Sequence, residues 1–334
     1  MKKTLAILLI ALLAFSSGLI AYAAPDKNIV ETAVDAPQFS TLVTAVVAAG
    51  LADTLSDEEA EFTVFAPTDD AFAALPDGIL AKLLDNEEIL AKVLLYHVVE
   101  GTVDSIAAAA LHGEDVMTLA GQKISVIVDS DELFINGALV TTPDIFCTNG
   151  VIHEINAVLV PKFDIVETAI MNDGFETLVA AVVAADLVDT LKSDGPFTVF
   201  APTDEAFAAL PEGLLDELLA DTDTLTKVLL YHVLGDAVFA ETVLGLDGEE
   251  VETVLGQKVL ITIDGENVFV NDSQVVVTDI ECSNGVIHVI DAVLIPDLEE
   301  EADTDLPDTG LTPGAVYAGL VLAGLGIAIS KKRK

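Results

Sequence analysis

Phe39, Leu42, Val43, Val46 and Val47 recur at i, i+3, i+4, i+7 and i+8, the spacing that places apolar side chains on one face of a helix. Phe62 to Ala66 is then a compact aromatic and β-branched run closed by Pro67, which predicts a strand. Thr68 or Asp69 is placed to cap a helix over Ala71 to Leu75, and Pro76 ends it. Ile79 to Leu84 and Ile89 to Tyr96 predict two further helical segments, the second with Leu90, Val93 and Leu94 on a common face. Beyond them the character changes. Lys123 to Val128 and Leu133 to Asn136 predict short strands around an acidic turn. Ala138 to Thr141 and Val151 to Leu159 complete a strand-rich half that Pro161 closes. Helices first and strands later, without β-α alternation, predict an α+β fold.

The whole pattern occurs twice. Phe62-Thr63-Val64-Phe65-Ala66-Pro67-Thr68-Asp69 returns unchanged as Phe197 to Asp204, Tyr96-His97-Val98 as Tyr231-His232-Val233, and Asn149-Gly150-Val151-Ile152-His153 as Asn284 to His288. The offset is 135 for all three motifs, and 136 for the opening helical stripe, whose partner is Phe175, Leu178, Val179, Val182 and Val183. Solenoid units repeat at roughly 20 to 50 residues, whereas this unit has the size of an independent domain. The lost residue falls between Leu191 and Phe197, in a loop, where length changes are tolerated. No Gly/Ser-rich linker separates the copies, which predicts a fairly stiff tandem.

The two ends read differently from the middle. Lys2 and Lys3 precede an uncharged run from Leu5 to Ile20 and an Ala21-Tyr22-Ala23 exit, which predicts a secretory signal peptide over 1–23, with an uncleaved N-terminal anchor as the alternative. Leu311 to Ser330 is uncharged and long enough to cross a bilayer, and the basic tail 331–334 then stays cytoplasmic. Leu306-Pro307-Asp308-Thr309-Gly310 lies just before it. Motif, apolar segment and basic tail in this order resemble a Gram-positive cell-wall sorting signal. The resemblance implies that a sortase cleaves between Thr309 and Gly310 and joins Thr309 to peptidoglycan; a plain single-span anchor is the alternative. Asp297 to Asp305 holds six acidic residues in nine, and 298–305 reads as an extended acidic spacer. Both ends predict display outside the cell.

Composition sharpens this picture. The formal charge is −42, and without the six basic residues of the two ends 8 lysines face 56 acids, a charge of −48. Such a surface repels nucleic acid and anionic headgroups. A content of 52% hydrophobic residues argues for folded domains against disorder. The acidity fits solubility or a saline medium, or binding of Ca²⁺, but no Asp-x-Asp-x-Asp-Gly loop is present. Cys147 and Cys282 occupy equivalent places, one per copy, and read as small buried residues rather than as a disulfide.

The three motifs together resemble the fasciclin (FAS1) domain family, over 28–161 and 164–297. The resemblance implies, for each copy, a β-sandwich wedge with a helical layer, used as an extracellular adhesion module. It also links the Tyr-His motif, here Tyr96, His97, Tyr231 and His232, to recognition of an adhesion receptor; the same residues read on their own as support for the fold. Thr68, Asp69, Thr203 and Asp204 read as turn and cap chemistry, and His153 and His288 as structural. Two histidines and an Asp per copy are a metal-ligating set in kind, yet no His-x-His or His-Glu-x-x-His spacing is present. No Gly-x-Ser-x-Gly elbow, P-loop or Gly-x-Gly-x-x-Gly occurs, so neither an enzyme nor a cofactor is expected. Asn271-Asp272-Ser273 matches a glycosylation acceptor by chance. The expected function is adhesion to extracellular matrix, a cell-surface protein or a polysaccharide, with peptidoglycan or membrane held through the C-terminus. The alternative is a binding module for a small apolar ligand, lipid or pigment, which a continuous apolar cleft between sheet and helices would favour.

Overall fold

A computed structural model describes residues 25–298. The signal peptide (1–23), sorting motif (306–310), membrane segment (311–330), basic tail (331–334) and all of the acidic spacer except Leu298 lie outside those residues. No helix among the described residues is long and apolar enough to cross a membrane. The chain divides into two compact units after Pro161.

In the first unit α1 (Ile29–Asp35), α2 (Ser40–Ala48) and α3 (Ala52–Leu55) lead into β1 (Phe62–Pro67). Then come α4 (Asp69–Ala73), α5 (Ile79–Asp85), α6 (Glu87–Tyr96), β2 (Val98–Glu100) and α7 (Ser105–Ala110). The strands β3 (Asp115–Met117), β4 (Lys123–Asp129), β5 (Glu132–Ile135), β6 (Ala138–Cys147) and β7 (Gly150–Ile155) finish it. Short polar residues start four of the helices: Asn28 and Glu31 form a capping box on α1, and Thr68, Asn86 and Asp104 cap α4, α6 and α7.

Seven strands form one path in the order β2-β1-β7-β6-β5-β4-β3. β1 and β7 run parallel, Phe62 opposite Gly150 through Pro67 opposite Ile155, and the remaining neighbours are antiparallel. The parallel pair explains why β1 is buried along its whole length. Phe65 joins the strand-side core with Tyr96, Ile124, Ile135 and Ile155, while Val64 and Ala66 face α1 and α2. The second unit repeats the path, its parallel pair being Phe197–Pro202 with Gly285–Ile290. The α+β fold of two tandem domains follows.

Two elements differ from the sequence pattern. The strand expected to end at Thr141 continues to Cys147 through Pro143. Register shifts between Val140, Thr142 and Ile145, with Asp144 at φ +61°, form a bulge there, which accommodates a residue without an N–H. Val47, expected on the core face of α2, is 63% exposed.

Candidate functional site

α6 ends at Tyr96, and His97 is its C-cap. Both are buried, at 5% and 2% exposure. The Tyr96 hydroxyl donates to the Lys123 carbonyl on β4 at 2.9 Å and accepts from Asn136 Nδ2 at 2.6 Å. Asn136 holds the β5–β6 turn at φ +48°, a conformation that Asn adopts more readily than most residues, and its Oδ1 accepts the Ser125 amide. The His97 ring bridges backbone groups. Its Nε2 accepts the Leu159 N–H at 2.8 Å, so the proton sits on Nδ1, which donates to the Val93 carbonyl at 2.7 Å. Burial pushes the His97 pKa down to about 4, against the hydrogen bond to Val93.

The second unit reproduces this arrangement. Tyr231 bonds the Lys258 carbonyl and Asn271, and His232 bonds the Leu294 amide and Val228 carbonyl, with its pKa also lowered by burial to about 4. Asn271, the glycosylation match, spends its amide on Tyr231 and its carbonyl oxygen on the Leu260 amide.

The Thr-Asp pair of the long motif caps two helices at once. Thr68 Oγ1 accepts the Ala71 amide of its own helix. Asp69 reaches back to the start of α2, accepting the Ser40 hydroxyl at 2.6 Å and the Thr41 amide at 2.7 Å. The Ser40 hydroxyl holds the Asp69 carboxyl below the usual range, against a smaller opposing effect of burial. Thr203 and Asp204 repeat both contacts, on Ala206 and Thr177.

His153 lies on β7, stacked on Phe65 with ring centroids 5.7 Å apart. Its Nδ1 accepts the Asp144 amide at 3.3 Å and its Nε2 donates to the Val103 carbonyl at 2.8 Å. His288 does the same with Phe200, Asp279 and Val238. Asp144 in turn accepts the Ser105 amide and hydroxyl; Ala240 replaces that serine in the second unit, so the hydroxyl is not part of a shared reacting set.

Asn149 joins elements far apart in sequence. Its Oδ1 accepts the Ile29 amide, and its Nδ2 donates to the Leu55 and Asp57 carbonyls. Asn284 makes the matching bonds to Ile165, Leu191 and Ser193. The only signal for this role was its place in a repeated motif. Cys147 and Cys282 are free and buried, each thiol 3.3 Å from a threonine hydroxyl, Thr32 or Thr168, and burial raises both thiol pKa values. Among the described residues no group of three or more His, Cys, Asp or Glu side chains is placed to hold a metal ion. Every buried side-chain nitrogen and oxygen there has a hydrogen-bond partner.

Two α+β units with the same strand path and the same internal polar bridges define a tandem-domain protein. Both match the fasciclin domain, over residues 37–161 and 173–296, and the chain belongs to the fasciclin family. It is 34% identical to transforming growth factor-beta-induced protein ig-h3 of Sus scrofa over 242 residues, 71% of this chain but 35% of that protein. It is 48% identical to protein sll1483 of Synechocystis sp. over 134 residues, 40% of this chain and 73% of that protein. A solved FAS1 domain pair from the insect cell adhesion molecule fasciclin I aligns with 80% of this chain and 96% of its own, at 18% identity and a TM-score of 0.36.

Proposed function

We propose that the chain is a surface-anchored, non-catalytic adhesion protein whose two fasciclin domains bind extracellular matrix, a cell-surface protein or a polysaccharide. Membership of both units in the fasciclin family carries the reading, since the family resemblance implies extracellular adhesion. The internal bonding supports it: the ring nitrogens of His97, His153, His232 and His288 are taken up by backbone groups, which leaves recognition to the domain exteriors. Tyr96, His97, Tyr231 and His232 then act from below, shaping the surface over them. The acidic exterior disfavours nucleic acid as the partner. Leu306 to Gly310 and the segment 311–330 supply the anchor, through sortase joining at Thr309 or directly in the membrane. Two binding units on one chain raise avidity without new contacts.

The test compares cells displaying the full chain with cells displaying a chain that lacks 28–297, on surfaces coated with matrix protein or polysaccharide. Attachment should fall with the domains removed and fall partly with one removed. Attachment that does not change on removing both sinks the proposal.

A further inference from the structure

Between α1, α2 and β1 of the first unit lies a cavity of about 60 Å³. Ala33 and Val34 line it from α1, Val46 and Val47 from α2, and Val64 from β1; every other lining residue is Ala, Val, Leu or Ile, except His97. Val34 and Val47 are 59% and 63% exposed, so the lining continues from the core to the surface. Single exposed valines need no explanation, but two at the edge of one apolar cavity form its mouth.

We infer that this cavity takes the end of a single unbranched alkyl chain carried by an uncharged head, a proposal independent of the adhesion reading. Size decides against rings: an apolar cavity that admits benzene measures about 150 Å³. Polarity decides against any hydrogen-bonding group inside, because both His97 nitrogens are already bonded to Val93 and Leu159. Charge decides the head. On α1 and the described residues before it, Lys27 is paired with Asp35 and Glu31 is held in the Asn28 capping box, so among those residues no free cation stands ready for a carboxylate. The net charge of −42 repels an anionic head further.

The second unit contains its own control. Its residues repeat the fifteen lining positions with one change, Ile170 in place of Val34. Ile170 is partly buried and packs against the helical core there. The larger side chain is therefore compatible with the fold of that unit, and Val34→Ile would add its extra carbon at the mouth of the first unit's cavity.

The experiment titrates the full chain, methyl-labelled at Ile, Leu and Val and kept free of other detergent, with octyl glucoside below its micelle concentration. Saturable shifts of the Val34, Val46 and Val47 methyls are expected, with hexyl glucoside binding about fifteenfold more weakly for two lost methylenes. Val34→Ile should abolish the shifts while leaving the melting temperature and the remaining methyl spectrum in place. Cyclohexyl glucoside and octanoate should not bind. The proposal is overturned by an absence of saturable shifts in the unaltered chain, by shifts that survive Val34→Ile, or by equal binding of the ring or of the carboxylate.

Discussion

His97 Nε2 accepts the backbone N–H of Leu159, 62 positions downstream, at 2.8 Å. The bond ties the end of α6 to the segment that follows β7, and His232 ties Leu294 over the same separation. Removing the ring leaves a buried amide and a buried carbonyl without partners and opens space beside an apolar cavity. His97→Ala should therefore destabilise the first domain by about 3–5 kcal/mol, read from urea unfolding. A loss below about 1 kcal/mol would contradict the bridging role. Loss of attachment in a His97→Ala, His232→Ala variant then counts as evidence for a contact only if this destabilisation is absent.

The same two rings set a pH dependence. Burial holds each folded-state pKa at about 4, against 6.5 for an ordinary solvated imidazole, so the unfolded chain binds more protons between these pH values. Stability from the neutral rings is complete above about pH 6.5 and is lost as pH falls through 6.5 towards 4. The full loss is about 3 kcal/mol per histidine. Thermal melts from pH 7.5 to 4 should show the decline starting near 6.5. A flat profile down to pH 5 would contradict it.

Asp69 stabilises α2 from 28 positions away, by accepting at Ser40 and Thr41. Asp69→Ala should cost about 1–2 kcal/mol, as other lost N-caps do, whereas Asp69→Asn keeps an acceptor and should cost less than half of that. Equal losses in the two variants would show that charge rather than capping matters. Because hydrogen bonding depresses the Asp69 pKa, its contribution is present at neutral pH and fades on acidification below the ordinary carboxylate range.

Local pattern and long-range pairing were not equally legible. β1 stood out because a strand buried on both sides reads as an unbroken apolar run, and α6 because three core residues share a face. Thr68 was identifiable as a cap from its place before a helix. Its neighbour Asp69 was not identifiable as the cap of a different helix, since nothing local connects it with Ser40. Asn149 is further removed, with Ile29 lying 120 positions away. Tyr96 and His97 read on their own as support for the fold, while the family resemblance set a receptor contact beside that reading; the backbone groups they bridge, at Lys123 and Leu159, were not legible. Val47 misled in the other direction: periodicity shows that a residue shares the apolar face, and only the packing shows where cover stops. β6 was cut short in the pattern because Pro143 reads as a strand breaker until the bulge around Asp144 is known.

The tightest backbone approach joins Gly150 and Phe62. A Cβ built on Gly150 would lie 1.9 Å from the Phe62 carbonyl oxygen, and the glycine sits at φ +147°. Neither the rigid carbonyl nor the parallel β1–β7 register can move aside, since Phe62 also donates its amide to the Asn149 carbonyl at 3.1 Å. Gly285 repeats the approach, at 2.1 Å from the Phe197 carbonyl oxygen. Gly150→Ala should therefore cost at least about 3 kcal/mol. Asn149→Ala, which strands the Ile29 amide and two carbonyls, should cost about 3–5 kcal/mol. The two residues serve one junction, so the double variant should lose less than the sum of the single losses. Additive losses in chemical unfolding would mean that the close approach and the Asn149 bridge are independent supports.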